Sequence, residues 1–381
     1  MSFSASRVRA GAQTSAFSRD NGVMPLSLEP PPDSSGRWRR EAGELGRSLT
    51  RFGPSPGPRW HLGLQAALAM ALPVVVLSAL GLENIALLAA TGAFATLYGG
   101  RLSPRERLRF VPIVAAVLWS CAALGVAAAA VGAVAVAIGL IVVAVAASVL
   151  VFGRSVGPPG PLFAVLIYGL SAHVTAPQSS HAVNPALYLG VLAASLLFAW
   201  LVTAAPLVRR SHRGAKPRSM RSLFPAAGGE ATTRTLVVRT ATVAVVGTAI
   251  ALLVDPERAY WIVGAGIAVL GVSASRRVAL SRGIHRALGT AAGAAVFLAI
   301  SVVPLGGVVL GLVLGALQFI IELVVVRHYA LALVFITPLV LLILSAAGAG
   351  GPELAVERVV DTAVGVGLGI LSSVIVVGPR R

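Results

Sequence analysis

Residues 275–300 read SRRVALSRGIHRALGTAAGAAVFLAI. The stretch opens with Arg276, Arg277, Arg282 and Arg286 and continues into an apolar segment carrying Gly289 and Gly293. Arginines next to an apolar run mark the cytoplasmic side of a membrane, and glycines four apart mark a helix face that admits a close neighbour. A weaker copy lies earlier in the chain, RLSPRERLRFVPIVAAVLWSCAALG over 101–125. This pair of stretches sets the plan of the molecule.

The composition agrees with a membrane reading. Of 381 residues, 56% are hydrophobic and 12% charged, with a mean hydropathy of +0.86. Soluble domains carry about twice that share of charge. At about 20 apolar residues per crossing, the chain holds enough for roughly a dozen spans. The formal net charge of +17 lies in short gaps between apolar runs, which points to topology signals and away from nucleic acid. The single cysteine, Cys121, rules out an intramolecular disulfide and a cysteine-based metal motif, and no metal site or cofactor is expected. No cleavable signal is apparent, because the first apolar run starts near Trp60.

The expected fold is an all-α polytopic membrane protein with about twelve transmembrane helices. Residues 1–59 read as a disordered basic cytoplasmic tail, with an interfacial segment from Arg37 to Phe52. Residues 60–208 form a first six-helix half, 209–235 a basic cytoplasmic linker, and 236–378 a second six-helix half. Two runs, 84–98 and 260–273, are short, which suggests broken helices or extension by flanking residues. With both termini in the cytoplasm, the inner loops hold seventeen basic residues, among them Arg101, Arg109, Arg154 and Arg327, while the outer side holds Arg258 and Arg358. Glu83, Asp255, Glu257 and Glu353 fall outside. The asymmetry supports an even number of spans. The halves match at a nearly constant offset, pairing Glu83 with Glu257, Arg101 with Arg276 and Asn184 with Arg358. Six spans per half make this a parallel 6+6 repeat, unless the match is an accident of similar apolar helices.

The segment RGIHRALGTAAGA, Arg282 to Ala294, and the closing ERVVDTAVGVGLG, Glu357 to Gly369, together resemble the fusaric acid resistance and aromatic acid exporter (FUSC-like) family. The resemblance is clearest from about Thr235 onward. It implies two six-helix halves, commonly separated by a large cytosolic domain for which the linker 209–235 is too short. It also implies efflux of aromatic and other organic acids, hence an anionic substrate.

Ionisable groups within apolar spans are the candidates for function. Glu322 reads as a proton-titrating carboxylate on the transport path or as an acid paired with a neighbouring arginine. Arg358 and Asp361, three apart, share a helix face and can pair, and Glu357 shares that face with Asp361. The pair reads as an anion site with a proton switch or as a structural ion pair. Arg239 faces an anion or snorkels to the headgroups. Arg286 precedes Gly289-Thr290 at an expected helix start, where free N–H groups would help hold a carboxylate. Thr337-Pro338 reads as a helix break or a simple kink. His173 and His181, near Tyr168 and Thr175, read as outer pH sensors or ordinary interfacial histidines. Gly289, Gly293, Gly311, Gly315, Gly365 and Gly369 read as helix-packing positions.

No Walker motif, Rossmann glycine pattern or His-x-x-Glu-His occurs, and polar residues are scattered, so neither ATP-driven transport nor a membrane enzyme is expected. The reading is a multi-pass protein of a bacterial inner membrane that exports small organic, aromatic anions as a secondary transporter, coupled to protons through Glu322 or Asp361. Its expected partners are the anion and the lipid bilayer, with homo-oligomer formation left open. A passive anion channel and a non-transporting membrane scaffold are the alternatives.

Overall fold

A computed structural model describes residues 43, 46–54, 57–177, 182–208, 217–227, 229–346 and 350–378. Most of the tail at 1–59, the linker residues Arg209, Arg210, Arg213 and Lys216, and His181 lie outside the described residues.

The described chain is helical, with no strand among the described residues. In order, the helices are α1 (Trp60–Ala79), α2 (Glu83–Ala90, continued as a 3-10 turn over Thr91–Leu97), α3 (Pro104–Val131), α4 (Ala133–Gly153), α5 (Leu162–Thr175) and α6 (Pro185–Ala204). After the linker come α7 (Glu230–Val254), α8 (Ala259–Leu270), α9 (Arg276–Ser301), α10 (Gly307–Val324), α11 (Tyr329–Ala346) and α12 (Glu353–Ser372). Among the described residues, eight helices are long and apolar enough to cross a membrane. The expected count of twelve is therefore met only in part. α2, α5 and α8 are shorter, and α12 carries four charged residues, Glu353, Glu357, Arg358 and Asp361.

Local chemistry sets several boundaries. Ser-Pro-Arg-Glu at 103–106 is a capping box: the Glu106 N–H donates to Ser103 Oγ, and the Ser103 N–H donates to Glu106 Oε2 at 2.9 Å. Asn184 caps α6 by accepting from the N–H groups of Ala186 and Leu187. Between α3 and α4 the turn is a single residue, Gly132 at φ +130, a conformation side chains exclude.

Close helix approaches organise the bundle. α1 and α10 pack antiparallel: a Cβ at Gly311 would lie 2.8 Å from Val75 Cγ2, and one at Gly315 2.6 Å from Ala71 Cβ. α9 and α11 run parallel, with Gly289 against Ala330 O and Gly293 against Leu333 O. α8 and α12 also run parallel, with Gly365 against Ile262 O and Gly369 against Gly266 O. In lipid such contacts bind by packing, since burial gains nothing over the acyl chains. Gly315→Leu is therefore expected to push α1 off α10 and lower the melting temperature in detergent, at a cost of about 1–3 kcal/mol. Gly367→Leu on α12, whose Cβ would meet nothing within 4 Å, is the control that leaves it unchanged.

Several expectations are corrected. α7 starts at Glu230, inside the expected linker, because 230–235 continues the helix. The linker is tied to α3: Arg218 Nε donates to Glu106 Oε1 at 2.6 Å, and Phe224 stacks on Phe110. α11 stays helical through Thr337-Pro338, so the chain is not broken there and only the Val334 carbonyl loses its helical N–H partner. Residues 46–54, which take in the end of the interfacial segment expected over Arg37 to Phe52, pack on the arginine-bearing ends of α9 and α11.

Candidate functional site

Buried charge concentrates where α8, α9, α11 and α12 meet. α8 and α12 enter from the acid-bearing end of the bundle and α9 and α11 from the arginine-rich end. Arg286 lies ten residues into α9, about 15 Å along the helix, and Arg358 five residues into α12, about 7.5 Å along it. The antiparallel contact of α9 with α12, seen at Gly283 against Val366 and Ile370, brings these two arginines toward one another.

Arg358 is 7% exposed, and its guanidinium lies over the Trp261 ring at 4.0 Å from the centroid. Its Nε and Nη1 are buried without a hydrogen-bond partner. Arg286 is 6% exposed and donates from Nη1 to the Tyr329 hydroxyl at 3.0 Å, while its Nε is buried and unpartnered. The two guanidiniums repel one another through the site. Thr362, one turn beyond Arg358 on α12, adds a buried hydroxyl without a partner. None of these buried donors meets an acceptor among the described residues, although buried donors are ordinarily paired.

The neighbouring acid is occupied elsewhere, which corrects the expected Arg358–Asp361 pair. Asp361 is 3% exposed and accepts a forked contact from Arg258, with Nη2 to Oδ1 at 2.7 Å and Nε to Oδ2 at 3.2 Å. Arg258 also donates to Glu357 O at 3.1 Å. Because α8 and α12 are parallel and in register, residue 258 reaches residue 361, whereas Arg358 turns to Trp261. Two guanidiniums, from Arg258 and Arg358, thus act on the buried Asp361 carboxylate, with Arg286 in the field of Arg358 and Glu357 half-buried at the rim. The excess positive charge suits an anion.

Arg282 closes the site on the arginine-rich side. Its guanidinium lies 4.4 Å from the Tyr329 ring centroid, and Nε and Nη2 donate to Ala268 O at 3.1 and 2.8 Å. Two surface cavities among the described residues, one of about 370 Å³ beside Thr232 and Thr233 and one of about 440 Å³ between Trp119 and Trp200, lie away from these arginines.

The remaining sequence candidates lie apart. Glu322 on α10 accepts from Arg59 Nη2 at 2.9 Å, across to the start of α1. Arg327, the nearest arginine in sequence, instead bonds Gly53 O. Arg107 sits in the field of Glu322 and donates to Gln65 Oε1 and, at 2.7 Å, to Thr96 O. Arg239 neither snorkels nor faces an open site: it is 1% exposed and donates to Ile375 O at 2.9 Å and Ala274 O at 2.7 Å, closing the turns after α12 and α8. The expected helix start at Arg286 is corrected as well, since α9 begins at Arg276 and the N–H groups at 286–290 are used inside the helix. Thr337 is buried, its Cβ 2.7 Å from the position a Cβ at Gly293 would take. His173 Nδ1 lies 3.2 Å from Glu257 Oε2.

Trp261, Tyr329 and Arg258 were missed as site residues. An aromatic or an arginine at a span end reads as an interfacial anchor, and the only signal was the local density of Arg258, Tyr260 and Trp261.

Comparison with known proteins bears out the resemblance read on 282–294 and 357–369. Residues 231–372, from α7 to the end of α12, match the family model described as fusaric acid resistance protein-like. The chain is also similar to the uncharacterized membrane protein YvaC of Bacillus subtilis (strain 168), with 36% identity over 121 residues. That match takes in 31% of this chain and 19% of the length of YvaC. No solved structure matches the chain. With its apolar helices, the chain is a multi-pass membrane protein.

Proposed function

We propose that the protein is a secondary transporter that exports small organic anions, aromatic carboxylates among them, and that Arg286 and Arg358 hold the anion. The observation that carries the reading is the set of unpartnered, buried donors on these two guanidiniums. Leaving a charged group desolvated and unpaired is costly, and a bound carboxylate satisfies a guanidinium in a bidentate fork. The fusaric acid resistance protein-like match over the helices that build the site supports the same reading.

In this reading the molecule has twelve spans arranged as a parallel 6+6 repeat, with both termini in the cytoplasm of a bacterial cell and the arginine-rich end inside. The packing supports the repeat. Gly125 of α3 meets Tyr168 O of α5 as Gly289 of α9 meets Ala330 O of α11. Arg107 bonds the end of α2 at Thr96 O as Arg282 bonds the end of α8 at Ala268 O. Coupling to protons runs through whichever of Glu322 and Asp361 releases its arginine. Uncoupler-insensitive flux in the wild type, or pH-driven flux that survives both Glu322→Gln and Asp361→Asn, removes that part.

The test is counterflow of labelled benzoate and a panel of aliphatic carboxylates into liposomes holding the purified protein. The expected result is accumulation of at least one carboxylate and no movement of matched amines. Absence of carboxylate movement overturns the transport reading. Single-channel anion currents without counterflow assign the arginine pair to a passive channel.

A further inference from the structure

Residues 46–54 cross the arginine-rich end of α9 and α11 and are fastened there at four points. Ser48 Oγ lies 3.0 Å from His285 Nε2. Leu49 O lies 2.9 Å from His328 Nε2. The Gly53 N–H donates to Arg327 O at 2.8 Å, and Arg327 Nε donates back to Gly53 O at 3.3 Å. The Phe52 ring packs on His328, with centroids 5.3 Å apart, beneath the Arg327 guanidinium.

The positions of these anchors give the strap its meaning. His285 precedes Arg286 and His328 precedes Tyr329, the two residues joined by a hydrogen bond in the anion site. The His285 and His328 rings lie nearly parallel, 6.4 Å apart. The strap therefore grips α9 and α11 one residue from the arginine–tyrosine contact that closes the site toward this end.

We infer that residues 46–54 are a lid over the inner entrance to the anion site, released when the site loads from the cytoplasmic side. The inference rests on the anion-site reading. The contacts suit a lid: they are three side-chain bonds, one backbone bond and one tilted ring contact, at a partly exposed end of the bundle. Release costs only what water does not replace.

Two measurements keep the lid and the transport reading separate. The first uses Thr290→Cys, 1% exposed and one turn beyond Arg286, in a Cys121→Ala chain. Labelling from the inner face by a water-soluble thiol reagent is expected to quicken at least tenfold when Ser48→Ala and Phe52→Ala loosen the strap. Equal labelling rates with and without the strap contacts overturn the lid, whether or not the protein transports anything. The second uses Gly53→Cys with Arg327→Cys in the same background. A Cβ at Gly53 lies 3.9 Å from Arg327 Cα, so the two thiols start as close neighbours, and loss of free thiol on oxidation shows that the cross-link has formed. Oxidation is expected to cut export at least tenfold and dithiothreitol to restore it. Unchanged export in protein whose free thiols are gone also overturns the lid. Faster labelling in a protein with no flux in any form leaves the lid standing and removes the transport reading.

Discussion

Asp361→Ala is expected to cost about 3–5 kcal/mol of stability, the range for removing one partner of a buried ion pair. The substitution strands the Arg258 fork, which reaches both carboxylate oxygens from the start of α8. It also takes a buried carboxylate out of the field of Arg358. The loss comes from uncompensated positive charge more than from the missing bonds, so removing the second partner should repair much of it. The double variant Arg258→Ala/Asp361→Ala is expected to be more stable than Asp361→Ala alone. Unfolding in mixed detergent micelles, followed by circular dichroism across the full cycle, measures this. A double variant as unstable as the sum of its parts would show that the pair does not act as a unit.

Arg358→Gln is expected to show the opposite combination: transport lost, fold retained or strengthened. Nε and Nη1 are the donors left for the anion, and each charge-assisted bond is worth about 1.5–3 kcal/mol. Losing both weakens anion binding by roughly a hundredfold or more at 1.4 kcal/mol per tenfold. The empty protein, however, loses a desolvated charge with no hydrogen-bonded partner and is relieved of its repulsion with Arg286. Arg358→Lys is not expected to restore flux, because an ammonium offers no planar fork and stacks poorly on Trp261. Counterflow and thermal melting on the same preparations check both halves. An Arg358→Gln protein that melts well below the wild type while transporting normally would make Arg358 structural.

Part of the fold was legible because membrane helices announce themselves twice, by apolar length and by the arginines gathered in the gaps between them. The glycine spacings also pointed to contact faces: Gly289 and Gly293 touch α11, and Gly365 and Gly369 touch α8. Partner choice was not legible. A spacing of three places Arg358 and Asp361 on one face, but whether they pair depends on what lies across from them. There Arg258 arrives in register and Trp261 offers a ring. Arg239 looked like an interfacial arginine because sequence does not reveal that Ile375 and Ala274 leave carbonyls within its reach. Arg286 and Arg358, 72 positions apart, are brought toward one another only by the antiparallel contact of α9 and α12, which no local pattern encodes.

The short α8 has a consequence for how the chain is made. Twelve residues rise about 18 Å, well below the ~30 Å of a hydrocarbon core. Its terminal carbonyl at Ala268 is satisfied by Arg282, which is synthesised fourteen residues later. Until that arginine emerges, α8 has an open polar end and no means of crossing alone. In the twelve-span reading, its entry into the bilayer is expected to wait for the start of α9, the two inserting as a hairpin.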